Sequence, residues 1–194
     1  MVDRLNALCR LDVAGIGSLL PAPVPGLSVR LVDPFRVVAL RHLPGGAPAI
    51  ETAANEQALP RLPVAGHFEG HEPYFLWCNS REWLLITTSD GLADDLLHAL
   101  PASSAALAYA VDRSAGSVIF ELTGADMTVV LPRLFDAGAI PQKPGQGTRA
   151  RFVDIAVIAL HLTNDRIWLL ADRGNDRYIA QWLTYAIKGA PETA

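Results

Sequence analysis

Apolar residues along this chain fall into short runs separated by segments rich in glycine, proline or charge, a pattern typical of short strands joined by turns. Residues 27–43 are rich in valine and leucine but are interrupted by Asp33 and Pro34, which predicts two short strands or one bent strand. Residues 74–87 carry two apolar runs around a polar centre at residues 79–82, which is the clearest hairpin signal in the chain.

The second half of the chain has a similar strand-rich pattern. Residues 106–124 predict a strand region that is interrupted at residues 112–116. Residues 148–172 predict three strands, with a turn at residues 163–165 between the second and the third. Most of the apolar residues on these strands are therefore expected to face a common core.

Four segments have helical spacing or helix-start signals, and they are residues 3–10, 91–101, 123–135 and 175–188. Thr123 is the expected cap of the third helix, while Pro101 and Pro132 limit the second and third. The last helix is predicted to turn the following side chains towards the core: Tyr178, Ile179, Trp182, Tyr185 and Ala186. Residues 44–49 predict a turn, and residues 51–66 are predicted to be irregular, with at most one helical turn, because their apolar positions follow no clear period.

One seven-residue pattern, Asn-x-Arg-x-Trp-Leu-Leu, occurs as NSREWLL at residues 79–85 and again as NDRIWLL at residues 164–170. Each copy covers the turn and the second strand of a predicted hairpin and precedes a predicted helix. Trp83 and Trp168 are expected to lie where each hairpin contacts its helix, because a buried tryptophan supplies a large packing surface.

The repetition predicts an α+β fold made of two similar halves of antiparallel sheet with helices. The chain is interpreted as a single domain over residues 1–194, with pseudo-duplicated halves at about 27–105 and 106–190. Coincidence in a leucine-rich chain remains the alternative. Even a genuine repeat concerns architecture and assigns no chemistry.

The composition allows a large core. The chain has 194 residues, of which 51% are hydrophobic, so it can bury a substantial core and still leave apolar surface for a subunit interface. No run approaches the ~18 uncharged apolar residues that a membrane helix needs. Charged residues near the start break any signal-peptide core. A cytoplasmic protein without membrane contact is expected.

Charge and cysteine content exclude several classes of function. The net charge is −4, and Lys143 and Lys188 are the only lysines, so nucleic-acid binding has little electrostatic support. Cys9 and Cys78 form neither a disulfide framework nor a metal pattern, and reduced thiols are expected.

Histidine and glycine motifs give no cofactor or metal site. His67 and His71 have the spacing of a helical metal pair, but the surrounding glycines and proline predict a surface loop. The remaining histidines are isolated: His42, His98 and His161. Residues 144–149 lack the Gly-Lys-Ser/Thr of a phosphate loop, and Gly15-Ile16-Gly17 has no strand before it and no third glycine.

No catalytic set is complete, so no catalytic residue is predicted. Ser114 does not lie in a Gly-x-Ser-x-Gly elbow. The carboxylates Asp94, Asp95 and Asp172 are expected to cap helices or face solvent. Asp112 and Arg113, in a strand region, remain open as a buried pair, an interface pair or a catalytic pair.

Five segments taken in order resemble the gamma subunits of heterotetrameric sarcosine oxidase. FLWCNSREWLLIT resembles their Trp-Leu-Gly-Pro-Asp-Glu-Trp-Leu-Leu stretch, and AVDRSAGSVIFELTGADMTVVLPRL resembles their region Val-Asp-Val-Ser followed by Leu-x-Leu-x-Gly-x-x-Ala. PGQGTRARFVDIAVIALHL, YIAQWLTYA and GLSVRLVDPFRVVALRHL are similar to the family's loop with its following strands, its terminal helix and its first strands. Phe135-Asp136-Ala137-Gly138 replaces a cysteine-proline pair that is usual in the family.

The resemblance implies a fold like the folate-binding domain of aminomethyltransferases and a non-catalytic subunit that packs on an alpha subunit. It implies that this chain alone binds no cofactor, whereas the complex uses FAD, FMN, NAD and tetrahydrofolate to oxidise sarcosine to glycine. An isolated chain is a possible homo-oligomer.

The alternative is a free-standing, folate-binding aminomethyltransferase-like protein. A pterin pocket needs a carboxylate between apolar walls, and the candidates near apolar strands are Asp112, Glu121 and Asp154. A third possibility is a stand-alone interaction domain.

Overall fold

The computed structural model describes residues 15–59, 61–64, 66–69, 74–101, 106–136 and 138–189. The predicted helix at residues 3–10 and His71 lie outside the described residues. In chain order the elements are β1 (Ser28–Leu31), β2 (Arg36–His42), α1 (Ala47–Glu56), β3 (Phe68–Glu69), β4 (Tyr74–Asn79), β5 (Glu82–Thr87), α2 (Asp90–Ala99), β6 (Ala108–Asp112), β7 (Ser117–Thr123), α3 (Met127–Val130), β8 (Gly147–Phe152), β9 (Ile155–Thr163), β10 (Arg166–Asp172) and α4 (Asp176–Lys188).

The chain forms two compact units, each assembled from separate stretches of sequence. Unit A comprises the described parts of residues 1–33, 115–144 and 148–194. Unit B comprises the described parts of residues 34–114 together with residues 145–147. Each unit contains one sheet and its own helices, which agrees with the predicted α+β class.

Unit B is built on a sheet with the strand order β3-β4-β5-β2-β6. Helices α1 and α2 cover one face of this sheet, and the side chains between them form a core that includes Val38, Leu40, Ile50, Leu85 and Leu96. Ser89 caps the start of helix α2, and its hydroxyl accepts a hydrogen bond from the Leu92 amide at 3.3 Å.

Unit A is built on a sheet with the strand order β1-β7-β10-β9-β8. Its core lies between one sheet face and helices α3 and α4 and includes Phe120, Phe152, Leu169, Ile179 and Leu183. The opposite face is also buried, as its residues Ile119, Leu160, Trp168 and Leu170 show. Strands buried on both faces explain why the sequence shows continuous apolar runs there and no clean alternation.

The compact units divide the chain differently from the predicted halves 27–105 and 106–190. Strand β1 precedes β2 in the sequence but pairs with β7 of unit A. Strand β6 precedes β7 but pairs with β2 of unit B. Each predicted half therefore gives its first strand to the sheet of the other half. A short edge strand carries no local signal for which sheet it joins, because strand pairing is a long-range choice.

The two copies of the seven-residue pattern differ in register at their turns. Asn79 faces Glu82 across the first turn, and Thr163 faces Arg166 across the second. Trp83 therefore lies one position after Glu82, the first paired residue of β5. Trp168 lies two positions after Arg166, the first paired residue of β10. Since successive strand residues point to opposite faces, the two tryptophans lie on opposite faces of their sheets.

The predicted hairpin–helix contact is thus confirmed for one tryptophan and wrong for the other. Trp83 packs against the core beneath α1 and α2. In β10 it is Ile167 and Leu169 that join the core beneath α4, which leaves Trp168 on the other face. A one-residue change of register reverses the facing of a whole strand.

Helix α1 lies where a turn and an irregular segment were predicted. It runs from Ala47 to Glu56, with Pro48 in its first turn, where proline is tolerated because that amide has no intrahelical partner. Ile50, Ala53 and Ala54 are buried at helical spacing. Two of these three residues are alanines, so the spacing of large apolar residues in the sequence did not reveal the buried face of the helix.

Two details of the other helices also differ from the prediction. Thr123 is the last residue of β7 and does not cap a helix. The helix that follows it, α3, covers only Met127–Val130, and a 3-10 turn that contains Pro132 continues from its end. Helix α4 turns the following residues inward: Ile179, Ala180, Leu183, Ala186 and Ile187. Tyr185, predicted to face the core, is 72% exposed.

Candidate functional site

Four charged side chains and one serine converge where β2 begins and β6 ends, in unit B. Arg36 donates from Nη1 to Asp90 at 3.1 Å and from Nη2 to Asp94 at 3.1 Å and Asp112 at 2.9 Å. Asp90 and Asp94 lie four residues apart in α2, so one helix face presents both carboxylates to the guanidinium. We refer to Arg36, Asp90, Asp94, Asp112 and Ser114 as the Arg36 cluster.

Hydrogen bonds and charge hold Asp112 ionised. Its Oδ1 accepts from the Ser114 amide at 2.8 Å and from the Ser114 hydroxyl at 2.5 Å. Burial raises the pKa of Asp112, but the bonds from Ser114 and the charge of Arg36 outweigh it, so the pKa lies below its ordinary value. A carboxylate with a lowered pKa and occupied oxygens is a poor general base at neutral pH.

Ser114 links Asp112, at the end of β6, to Val37 in β2 through hydrogen bonds. Its hydroxyl donates to Asp112 and accepts from the Val37 amide at 3.0 Å. Asp112, at the end of β6, pairs with Arg36, at the start of β2. This ion pair is a structural contact within unit B, and it is separate from the buried, interface and catalytic alternatives for Asp112 with Arg113.

A second charged group lies in unit A around Glu121, which is only 3% exposed. Its Oε1 accepts from Arg30 Nε at 2.6 Å, and its Oε2 accepts from Trp168 Nε1 at 2.7 Å. Arg166 Nε lies 2.8 Å from Oε2 as an ion pair, and its guanidinium lies 5.6 Å from the centroid of the Trp168 ring. We refer to Glu121, Arg30, Arg166 and Trp168 as the Glu121 cluster.

The partners of Glu121 outweigh its burial. Burial raises the pKa of Glu121, whereas the hydrogen bonds from Trp168 and Arg30 and the charge of Arg166 lower it, and the net pKa is below the ordinary value. Sequence reasoning had found Glu121 only as a pterin candidate. Its structural role depends on strand pairing, since Arg30 and Trp168 both lie opposite Glu121 in the sheet.

The structure does not bring the three pterin candidates together. Asp112 lies in unit B, whereas Glu121 and Asp154 lie in unit A. Asp154 is exposed, 3.1 Å from Arg151 Nη2, and it accepts a hydrogen bond from the Tyr178 hydroxyl at 3.2 Å. All three carboxylates therefore already have partners within the protein.

The isolated histidines His98 and His161 lie in different units. Within the described ranges, no three His, Cys, Asp or Glu side chains are grouped as metal ligands. His161 is buried, with Nδ1 2.9 Å from the Pro141 carbonyl oxygen, so this nitrogen serves a structural bond. His98 is exposed in the last turn of α2.

The glycine motifs have structural roles. The Gly147 amide donates to the Gly66 carbonyl at 3.1 Å, and the Gly145 carbonyl accepts from the Phe68 amide at 3.1 Å. The Gly147 amide is therefore already engaged and cannot serve a phosphate. Ile16, between the two glycines of Gly15-Ile16-Gly17, is buried in the core of unit A.

A cleft of about 320 Å³ lies beside the Trp83 ring in unit B, and sequence reasoning missed it. Its lining residues are Glu51, Ala54, Asn55, Arg61, Leu62 and Trp83. Residues 51, 54 and 55 share one face of α1, so the cleft could be found only after that helix was recognised. The Trp83 indole donates to the Pro63 carbonyl at 3.3 Å and ties the segment that follows α1 to the ring.

Comparison with solved structures identifies the fold. The chain is similar to a chain of the heterotetrameric sarcosine oxidase from Corynebacterium sp. U-96, solved with pyrrole 2-carboxylate: the TM-score is 0.75, the identity is 22%, and the match covers 94% of this chain and 95% of that one. It is also similar to the glycine cleavage system aminomethyltransferase T of Bartonella henselae, with TM-score 0.55, 13% identity, and coverage of 88% of this chain and 48% of that one. The fold is therefore that of a sarcosine oxidase subunit and of part of an aminomethyltransferase, which confirms the predicted fold class.

At the level of sequence, no protein-family model matches the chain. No curated protein matches it significantly either. Among the described residues, no helix is both long and apolar enough to cross a membrane.

Proposed function

We propose that this chain is a non-catalytic, gamma-type subunit of a heterotetrameric sarcosine-oxidase-like complex and packs on an alpha-type subunit. The observation that carries the proposal is the structural match to a chain of such an enzyme over 94% of this chain and 95% of the other. The match spans 95% of the chain from that enzyme and is therefore not confined to a part of it. The resemblance of five ordered sequence segments to gamma subunits supports the same assignment.

The charged clusters favour an accessory role. The Arg36 cluster and the Glu121 cluster engage their carboxylates in bonds within the protein, which stabilises the fold and leaves these groups unsuited to proton transfer. In this proposal the FAD, FMN, NAD and tetrahydrofolate of the complex are held by the other chains. The complex is expected to be cytoplasmic.

The outer face of α4 is the surface we assign to the partner. Tyr178, Trp182 and Tyr185 form a continuous row of rings, with centroid distances of 6.2 Å and 5.5 Å. Tyr185, at one end of this row, is 72% exposed. Aromatic side chains are enriched in protein interfaces and often dominate their energetics.

Co-expression with an alpha-like chain encoded beside this one tests the proposal. We expect the two chains to co-elute in size-exclusion chromatography with light scattering. Tyr185→Glu should weaken the complex by at least about tenfold, because it places a charge in an apolar contact. Val64→Glu is the matched control, since Val64 is 71% exposed in unit B and lies outside the assigned surface.

The possible outcomes separate the two parts of the proposal. If this chain elutes alone beside its partner, the subunit role is wrong. If the complex forms but tolerates Tyr185→Glu as well as it tolerates Val64→Glu, the subunit role stands and the assignment of α4 as the contact is wrong.

A further inference from the structure

We propose that the cleft beside Trp83 binds a small zwitterion, specifically an α-amino acid with an apolar side chain. The cleft lies wholly within unit B, and its lining combines one carboxylate, one guanidinium, one amide, an indole ring and two aliphatic side chains. This inference does not depend on the subunit role proposed above.

The first argument is that two side chains of opposite charge line the same small cleft. Glu51 and Arg61 both line the cleft. Over the described part of the chain, neither takes part in an ion pair, whereas Arg30, Arg36 and Arg41 each bind a carboxylate. A ligand that carries both an ammonium and a carboxylate would satisfy both charges, with the guanidinium able to hold the carboxylate through two hydrogen bonds.

The second argument is the neutral part of the lining. The Trp83 ring also lines the cleft, and the face of an indole ring attracts an ammonium group. Ala54 and Leu62 give an aliphatic wall for a short side chain, and the Asn55 amide can both donate and accept hydrogen bonds. The volume of about 320 Å³ lies at the lower end of the range of roughly 300–1,000 Å³ for ligand pockets and is large enough for an amino acid.

The third argument is that the cleft is held open by contacts among its own surroundings. The His42 ring stacks on Trp83 with centroids 5.4 Å apart, and the Trp83 indole bonds to the Pro63 carbonyl. The Leu59 amide donates to the Ala54 carbonyl at 3.0 Å, which fixes the chain as it leaves α1. These contacts fix Trp83 and the backbone after α1, so a ligand would lose affinity mainly to ordering of the exposed Glu51 and Arg61 side chains.

Isothermal titration calorimetry on the full chain tests the proposal with three matched probes. L-Leucine carries both charges, 3-methylbutylamine lacks the carboxylate, and 4-methylpentanoate lacks the ammonium. We expect L-leucine to bind, and each singly charged analogue to bind at least about tenfold more weakly, because each loses one charged hydrogen-bonding partner. Equal binding of the amine or of the acid would overturn the zwitterion assignment.

Substitutions locate the binding site. Arg61→Gln and Glu51→Gln should each weaken L-leucine binding about tenfold, and both residues are exposed, so folding should be unaffected. Arg149→Gln, an exposed arginine on β8 of unit A, is the matched control and should leave binding unchanged. Circular dichroism checks the fold of each variant. Absence of L-leucine binding at millimolar concentrations, or binding that Arg61→Gln does not weaken, would overturn the proposal.

Discussion

At the scale of single residues, Glu121 shows how a carboxylate can be buried in an apolar sheet. Residues 118–120 and 122 beside it are apolar and buried, and a lone charge there would be costly. Arg30 and Arg166 enter from the neighbouring strands and the Trp168 indole adds a hydrogen bond. The charge is tolerated because its partners arrive with the strand pairing itself.

Replacing Glu121 by glutamine should therefore destabilise the protein. The glutamine side chain would keep an oxygen for the Trp168 indole but would lose the charge that faces Arg30 and Arg166. Both arginines are partly exposed, so we expect a loss of about 1–3 kcal/mol in the free energy of unfolding at neutral pH. Urea denaturation measures it. Glu56→Gln, which removes the same charge from an exposed position, should change stability by less than about 0.5 kcal/mol.

The effect of Glu121→Gln should also depend on pH. The pKa of Glu121 is lowered in the folded protein from an ordinary value of 4.5, so its ionised form stabilises the fold. That contribution is complete above pH 4.5 and is lost as the pH falls through the folded-state pKa. Denaturation of both proteins from about pH 7 to about pH 3 should show their stabilities converging at the acidic end. A difference that stays constant with pH would contradict the ion-pair explanation.

At the scale of elements, the sequence predicted the strands and helices that contain large apolar residues, but it did not predict helix α1, whose buried face consists mostly of small residues. The β4–β5 hairpin, α2 and the three strands β8 to β10 follow the predicted ranges closely. In β5, β9 and β10 the buried residues include several leucines, isoleucines or valines. Helix α1 was missed because its inner face is Ile50 with two alanines. The cleft beside Trp83 was missed for the same reason, since α1 carries half of its lining.

Helix α1 can be tested by truncating its one large buried side chain. Ile50 is fully buried against the sheet of unit B, so Ile50→Ala should cost about 2–5 kcal/mol of unfolding free energy through lost contacts and a cavity. Glu51→Ala at the next, exposed position should change stability by less than about 0.5 kcal/mol. Thermal or urea denaturation compares the two variants. Equal, small effects would support the irregular segment that the sequence alone predicted.

At the scale of the whole molecule, the structure contains two five-stranded sheets, and the sequence repeat did not reveal which strands pair in each of them. The succession of strands and helices is alike in the two units, yet β1 and β6 each pair in the sheet of the other half. Hydrophobic periodicity describes which face of a strand is buried, whereas partner choice depends on contacts about 90 residues apart in sequence, such as Arg30 with Glu121. The Arg36 cluster was likewise not predicted, because its members come from β2, α2, β6 and the turn after β6, which only the fold brings together.

The fold is similar to part of an aminomethyltransferase, so a folate-binding measurement can distinguish an accessory subunit from a free-standing folate-binding protein. We expect calorimetry with 5-formyltetrahydrofolate to show no binding at micromolar concentrations, because the carboxylates of Asp112, Glu121 and Asp154 are each engaged by partners within the protein. A pterin ring would have to displace a guanidinium or a hydroxyl to reach any of them, and each lost charged bond opposes binding by about 1.5–3 kcal/mol. Micromolar binding would favour the free-standing folate-binding protein over the accessory subunit. Asp112→Asn and Glu121→Gln would then show which unit holds the ring, since the two residues belong to different units.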